Sequence, residues 1–202
     1  MDRDGTINEE VNYLDDPDRF KLLPGTADAI RKINQSSIRS VVVSNQSGVA
    51  RGYFSEDLVN KVHRKMRDLL KESGAFLDGI YYCPHHPDFG ESPYRKVCNC
   101  RKPAVGMLEK AAKDLKIDIA YSYTVGDKLE DIILANRAGA KGILVLTGFG
   151  KDELKRFHEC SKEVQQPSFV AKDLSEAVKW ILEDYANLIP QKKIGLRGNE
   201  IH

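Results

Sequence analysis

"SVVVSNQSG", Ser40–Gly48, is the stretch on which the fold turns. Three consecutive valines followed at once by polar residues describe a strand that is apolar on both faces and ends in a polar turn. Such strands belong to parallel sheets covered by helices on both sides, and ligands bind just beyond their C-terminal ends. Ser44, Asn45 and Gln46 therefore stand where a site is expected. Other strands are "GIYYC" (Gly79–Cys83), "YTVGD" (Tyr123–Asp127), "GILVLT" (Gly142–Thr147) and, more weakly, "SFVA" (Ser168–Ala171).

Helical patterns alternate with these strands. "TADAIRKIN" starts with Thr26 as N-cap, and Ser55 caps "SEDLVNKVHRKMRDLLKE", whose Leu58, Val62, Met66, Leu69 and Leu70 share a face. "AVGMLEKAAKDLK" aligns Val105, Leu108, Ala112 and Leu115, and "LEDIILANRAGA" ends at glycine. A last helix opens on the capping-box spacing Asp173–Glu176 and reaches Ile189. The expected class is α/β, a Rossmann-like three-layer sandwich with a mostly parallel sheet. One domain spans 1–190, and a disordered tail occupies 191–202.

The chain carries 31 Lys plus Arg against 30 Asp plus Glu, so it has no electrostatic footprint for nucleic acid or an anionic membrane. No apolar run is long enough to span a bilayer, and a cytoplasmic monomer is the expectation. In that compartment the four cysteines need a reading other than disulfides.

Three motifs join Ser44 at the strand ends. "MDRDGTIN" places Asp2 and Asp4 two residues apart, able to converge on one ion or to act as nucleophile and acid/base. "CRKP" supplies Lys102, a point charge suited to a phosphoryl oxygen, and "TVGDKLED" supplies Asp127 with Asp131 one helical turn on. Taken alone, the first reads more readily as a solvated turn and the second as a surface lysine, and the third has the alternative of a helix-start acid. The buried strand expected ahead of "DRDGT" is absent, since only Met1 precedes it.

The ordered set Asp-x-Asp, Ser, Lys, Gly-Asp-x-x-x-Asp resembles the haloacid dehalogenase superfamily over nearly the whole chain. The resemblance implies an aspartyl-phosphate mechanism. Asp2 would be the nucleophile and Asp4 the acid/base, with Ser44 and Lys102 on the equatorial oxygens. Mg²⁺ would be held by Asp2, the Asp4 carbonyl and Asp127, with the Lys128 main chain nearby. Asp131 would position Lys102 or a metal-bound water.

"CPHHPDFGESPYRKVCNC" offers Cys83, Cys98 and Cys100 with His85 or His86, enough for a closed tetrahedral zinc site within the loop 83–103. The alternative is free thiols with surface histidines; His85 is preferred by motif match. Such a site would stiffen the loop carrying Arg101 and Lys102. Cys160 stands apart as an ordinary thiol.

"DRDGTIN", "SNQSGVARGYF", "GIYYCPHHP", "CNCRKP" and "VGDKLED" together resemble the D-glycero-D-manno-heptose 1,7-bisphosphate 7-phosphatases, with the histidinol-phosphate phosphatases as neighbours. Both are essentially capless. The resemblance implies a small phosphosugar substrate contacted by Glu10, Val11, Asn12, Tyr13, Ser44, Asn45, Gln46, Ser47, Arg101 and Lys102. Arg51 reads either as a contact to the second phosphate or as a surface helix-start arginine. The flap "NEEVNYL" lacks the acidic-His-Gly pattern of some of these enzymes and leaves the anomer open. A reading of a different class is an inert, zinc-stabilised binding domain with Asp2 on a frayed terminus, motivated by the absent strand.

Overall fold

Val42 and Val43 point to opposite faces of one strand, and each joins a different buried apolar cluster. Helices therefore cover the sheet on both sides. The computed structural model describes residues 1–160 and 166–197, without the side chains of 158–160 and 189–197. Strands β1 (Val41–Asn45) and β2 (Gly79–Cys83) pair in parallel, as do β3 (Tyr123–Gly126), β4 (Lys141–Val145) and β5 (Phe169–Ala171). On one face, Ile30 of α1 (Thr26–Asn34), Met66 of α2 (Glu56–Glu72) and Val178 of α6 (Leu174–Arg197) share a core with Val42, Val125 and Ile143. On the other, Met107 of α3 (Gly106–Leu115) and Leu134 of α4 (Leu129–Ala138) meet Val43.

The expected strands are all present. Thr26 is not the N-cap of α1; Gly25 holds that position without a side-chain bond, and Thr26 is turned inward as the first helical residue. Ser55 caps α2 as expected, accepting from the Leu58 N–H, and Asp173 accepts from the Glu176 N–H. A helix outside the expectation, α5 (Gly150–Cys160), follows β4. Its apolar face is reduced to Leu154 and Phe157, too sparse for periodicity to flag. The last helix continues past Ile189 to Arg197; residues 198–202 of the expected tail, and the side chain of Cys160, lie outside the description.

The two strand groups are joined through Met1 and Asp2. The Met1 nitrogen donates to the Val41 carbonyl (2.8 Å), the Val43 N–H to the Met1 carbonyl (2.9 Å), and the Asp2 N–H to the Val125 carbonyl (2.8 Å). Two residues thus span the gap between β1 and β3, and Asp2 is buried in a ladder rather than frayed. A cavity of about 500 Å³ opens beside Met1, between β1, β3 and α3. The face of α3 expected to be core, Leu108, Ala112 and Leu115, lines this cavity and is only half-buried, whereas Met107 and Ala111 are buried.

That difference predicts unequal costs for equal truncations. Leu134→Ala, at a fully buried site, should destabilise by about 3 kcal/mol, and Leu108→Ala, on the cavity wall, by about 1 kcal/mol or less. Denaturant midpoints of the two variants check this.

Candidate active site

The C-terminal ends of β1 and β3, the turn after Asp2 and the start of α4 bring the charged residues together. The Lys102 ammonium is the hub: Nζ lies 3.0 Å from Asp2 Oδ1 and 2.7 Å from Asp131 Oδ1. Burial alone would lower its pKa, but the two carboxylates reverse that and raise it. Lys102 is placed by Asn45, whose Oδ1 accepts from the Lys102 N–H (2.9 Å) and whose Nδ2 donates to its carbonyl (3.1 Å). Asn45, expected at the substrate, thus also clips the main chain that carries the lysine.

Asp2, Asp127 and Asp131 are all buried, and oxygens of the three lie within 4.8 Å of one another. Asp127 Oδ2 accepts from the Phe149 N–H (2.9 Å), while Asp127 Oδ1 and Asp131 Oδ2 have no partner. Glycine makes this approach feasible. A Cβ on Gly5, whose φ is +74°, would sit 2.1 Å from Asp127 Oδ2, and one on Gly126 would sit 2.1 Å from Asp131 Oδ2. Three carboxylates against one ammonium leave two negative charges, and two orphaned oxygens face the cluster. Those are the requirements of a hard divalent cation, so the residues fit Mg²⁺.

Burial pushes the Asp127 carboxyl up to about 7, and burial likewise raises Asp131 despite Lys102. Asp4 is not part of this cluster. Its Oδ1 accepts from Asn8 Nδ2 (3.0 Å), and its Oδ2 accepts from Gln46 Nε2 (2.8 Å) and Arg3 Nη2 (2.8 Å). Burial opposes ionisation there, but Arg3 outweighs it and holds the carboxyl below the ordinary range.

A pocket of about 300 Å³ opens above Asp2, Ser44 and Lys102. Glu10, Asn12, Tyr13, Gln46, Ser47, Arg51, Arg101 and Lys128 line it, as does Asn45. Val11 does not; it packs against the core, because the flap backbone turns at Asn12 (φ 62°). Arg51 stacks on Phe89, 3.7 Å from the ring centroid, so it is a pocket wall and not a free surface arginine. Lys128 Nζ pairs with Glu10 at 3.3 Å across the mouth. Sequence reasoning passed over Arg3, Asn8 and the Phe149 N–H. Arg3 looked like the spacer of Asp-x-Asp, and a main-chain donor leaves no sequence signal.

In the loop after β2, Cys83, His85, Cys98 and Cys100 come together, and His85 rather than His86 belongs to the group. Their S–S and S–N separations run from 3.2 to 3.6 Å. A zinc–thiolate tetrahedron has edges of about 3.8 Å, so the four atoms stand close to its corners and fit Zn²⁺. Arg101 donates to the His85 carbonyl (3.3 Å), tying the loop to the pocket.

Comparison with known proteins agrees with this geometry. A family model described as HAD-hydrolase-like matches residues 99–177. A D-glycero-D-manno-heptose-1,7-bisphosphate 7-phosphatase of Thermosynechococcus vestitus is 43% identical over 185 residues, 90% of this chain and 93% of that protein. The chain belongs to this phosphatase family. The β-anomer-named enzyme of Escherichia coli is 40% identical, covering 93% of this chain and 89% of its own length. A solved structure of D,D-heptose 1,7-bisphosphate phosphatase from B. bronchiseptica, complexed with magnesium and phosphate, superposes with a TM-score of 0.78 at 35% identity, covering 91% of this chain and 96% of that one. As a member of this family of haloacid dehalogenase-like hydrolases, the protein is a phosphoric monoester hydrolase. No helix among the described residues is long and apolar enough to cross a membrane.

Two measurements follow for this phosphatase. A carboxyl whose pKa is near 7 when folded and 3.8 otherwise binds a proton only in the native state, so its contribution to stability falls as pH rises through about 7. Metal-free protein should therefore lose this contribution between about pH 6.5 and about pH 8, read in denaturant midpoints against Asp127→Asn, in which the histidines, about half protonated at pH 6.5 in the unfolded chain, titrate alike. That variant should flatten the loss, and Mg²⁺ should restore stability to the wild type. Cys98→Ser should lower bound zinc well below one equivalent, read by a chromogenic chelator, and lower the melting temperature.

Proposed function

We propose that this phosphatase removes the 7-phosphate of D-glycero-D-manno-heptose 1,7-bisphosphate through an aspartyl-phosphate at Asp2. The reaction would serve the nucleotide-activated heptose route to lipopolysaccharide core. The observation that carries the reading is the pairing of Asp2 with Lys102 at the floor of a pocket whose outer wall holds Arg51 and Arg101. One phosphate fits the floor and a second fits the basic wall, which suits a compact bisphosphate. The relatives named for this substrate support the same choice.

The chain's own residues supply the steps. Asp2 forms a bond to phosphorus while the bond to the substrate's alkoxide breaks, and Asp4 gives that alkoxide the proton it took from water in the second half of the preceding turnover. Lys102 and the Ser44 hydroxyl bind the equatorial oxygens, where charge accumulates. Water then attacks phosphorus, Asp4 takes its proton, and the Asp2–phosphorus bond breaks to release phosphate. Mg²⁺, held by Asp2, Asp127 and the Asp4 carbonyl, would neutralise charge on the phosphoryl group. Zn²⁺ at Cys83, His85, Cys98 and Cys100 would be structural, with no open position for water.

The test is phosphate release in Mg²⁺ from the heptose bisphosphate compared with histidinol phosphate. We expect kcat/KM for the bisphosphate to be higher by about tenfold or more, and a preference for histidinol phosphate would overturn the substrate. Asp2→Asn should lower kcat by about 10³-fold or more. Arg51→Ala should raise KM for the bisphosphate about tenfold, the worth of one charge-assisted contact, and leave p-nitrophenyl phosphate nearly unchanged.

A further inference from the structure

Arg3 lies between the nucleophile and the acid/base in sequence, yet its side chain is 1% exposed and committed almost wholly to the protein. Nε donates to Asp4 Oδ1 (3.1 Å), and Nη2 donates to Asp4 Oδ2 (2.8 Å) and Gln46 Oε1 (3.0 Å). Nη1 stands 3.3 Å from Nε2 of His63. A guanidinium has donors only, so His63 Nε2 must be the lone-pair nitrogen and the ring is neutral, with its proton on Nδ1. Burial and the Arg3 charge agree, pushing the His63 pKa down to about 3. His63 sits on the inner side of α2, edge-on to the Tyr82 ring at 5.4 Å. Four of the five Arg3 N–H groups are therefore spent, which leaves little of the guanidinium for a substrate phosphate.

The other contacts of Asp4 have the same character. Asn8 donates to Oδ1 and Gln46 Nε2 to Oδ2, and Gln46 also donates to Ser44 Oγ (2.9 Å). Every partner of this carboxylate is a donor, so both oxygens are held as acceptors in one orientation at the pocket wall.

We propose that Arg3, braced by the neutral ring of His63, is a positioning residue that holds Asp4 as the proton acceptor for the water-dependent half of the reaction. In that half, the bond from water oxygen to phosphorus forms, the Asp2–phosphorus bond breaks, and the proton of water passes to Asp4. The inference rests on the aspartyl-phosphate reading given above. Arg3 touches neither substrate nor phosphorus; it acts through Asp4, and His63 acts through Arg3.

The experiment uses p-nitrophenyl phosphate, whose leaving group needs little protonation, so that the first half runs without help from an acid. Arg3→Met should lower kcat roughly 30- to 100-fold with KM within about threefold, the scale of a misplaced acid/base. Phosphorylated protein should accumulate, seen as a one-phosphoryl mass shift after acid quench. His63→Leu should lower kcat about five- to tenfold by loosening the brace, and His63→Gln, which keeps an acceptor, should restore most of it. Zinc content and melting temperature report whether each variant is folded, and the His63 pair decides the matter if Arg3→Met does not fold. Wild-type kcat in Arg3→Met, a fall in kcat without accumulated phosphoprotein, or equal effects of His63→Leu and His63→Gln would each overturn the proposal. A wrong heptose assignment would leave this comparison standing, and a wrong nucleophile would show separately as phosphoprotein persisting in Asp2→Asn.

Discussion

Three carboxylates are buried together at the end of the sheet and share one ammonium. A lone buried carboxylate would protonate, and a lone buried ammonium would lose its proton. Lys102 stays charged because Asp2 and Asp131 flank it, while burial raises the pKa both of Asp131, which touches it, and of Asp127, which does not. The site is thus assembled two positive charges short, on the side where two carboxylate oxygens have no partner. The same shortage makes the cluster costly to the apo-fold and receptive to a divalent cation.

Keeping Lys102 in register takes more than its own side chain. The lysine follows the last cysteine of the Cys/His group by two residues, Asn45 clips its main chain to the end of β1, and Arg101 ties to the His85 carbonyl. A loop of polar residues with no core of its own is fixed at both ends by these contacts. The Cys/His group and the carboxylate cluster are in this sense one mechanical unit, with the strand end of β1 as its anchor.

Met1 and Asp2 supply the main-chain bonds that hold β1 and β3 in one layer. The nucleophile is therefore placed by the ladder itself, with Gly5 leaving room for Asp127 beside it. Beside Met1 the layer opens into a cavity, and α3 shows it: the stripe that periodicity marks as core stays half-exposed, while Met107 and Ala111 find the packing. Periodicity reports which face is apolar, not whether the opposing surface is filled.

The sheet, its two helical layers, both carboxylate motifs, Lys102 and the four zinc-type ligands were all legible in the chain, because each depends on local pattern. Valine runs mark doubly covered strands, and Cys and His at short spacing mark soft-metal ligands. Other features depended on neighbours distant in sequence. Arg3 looks like a spacer until His63, sixty residues on, supplies its acceptor, and Val11 looks like a flap contact until Asn12 turns the backbone. Residue chemistry and spacing are properties of the sequence. Which carboxylate keeps a free oxygen, which arginine is spent and which apolar stripe is covered are properties of burial, and burial exists only once the chain has folded.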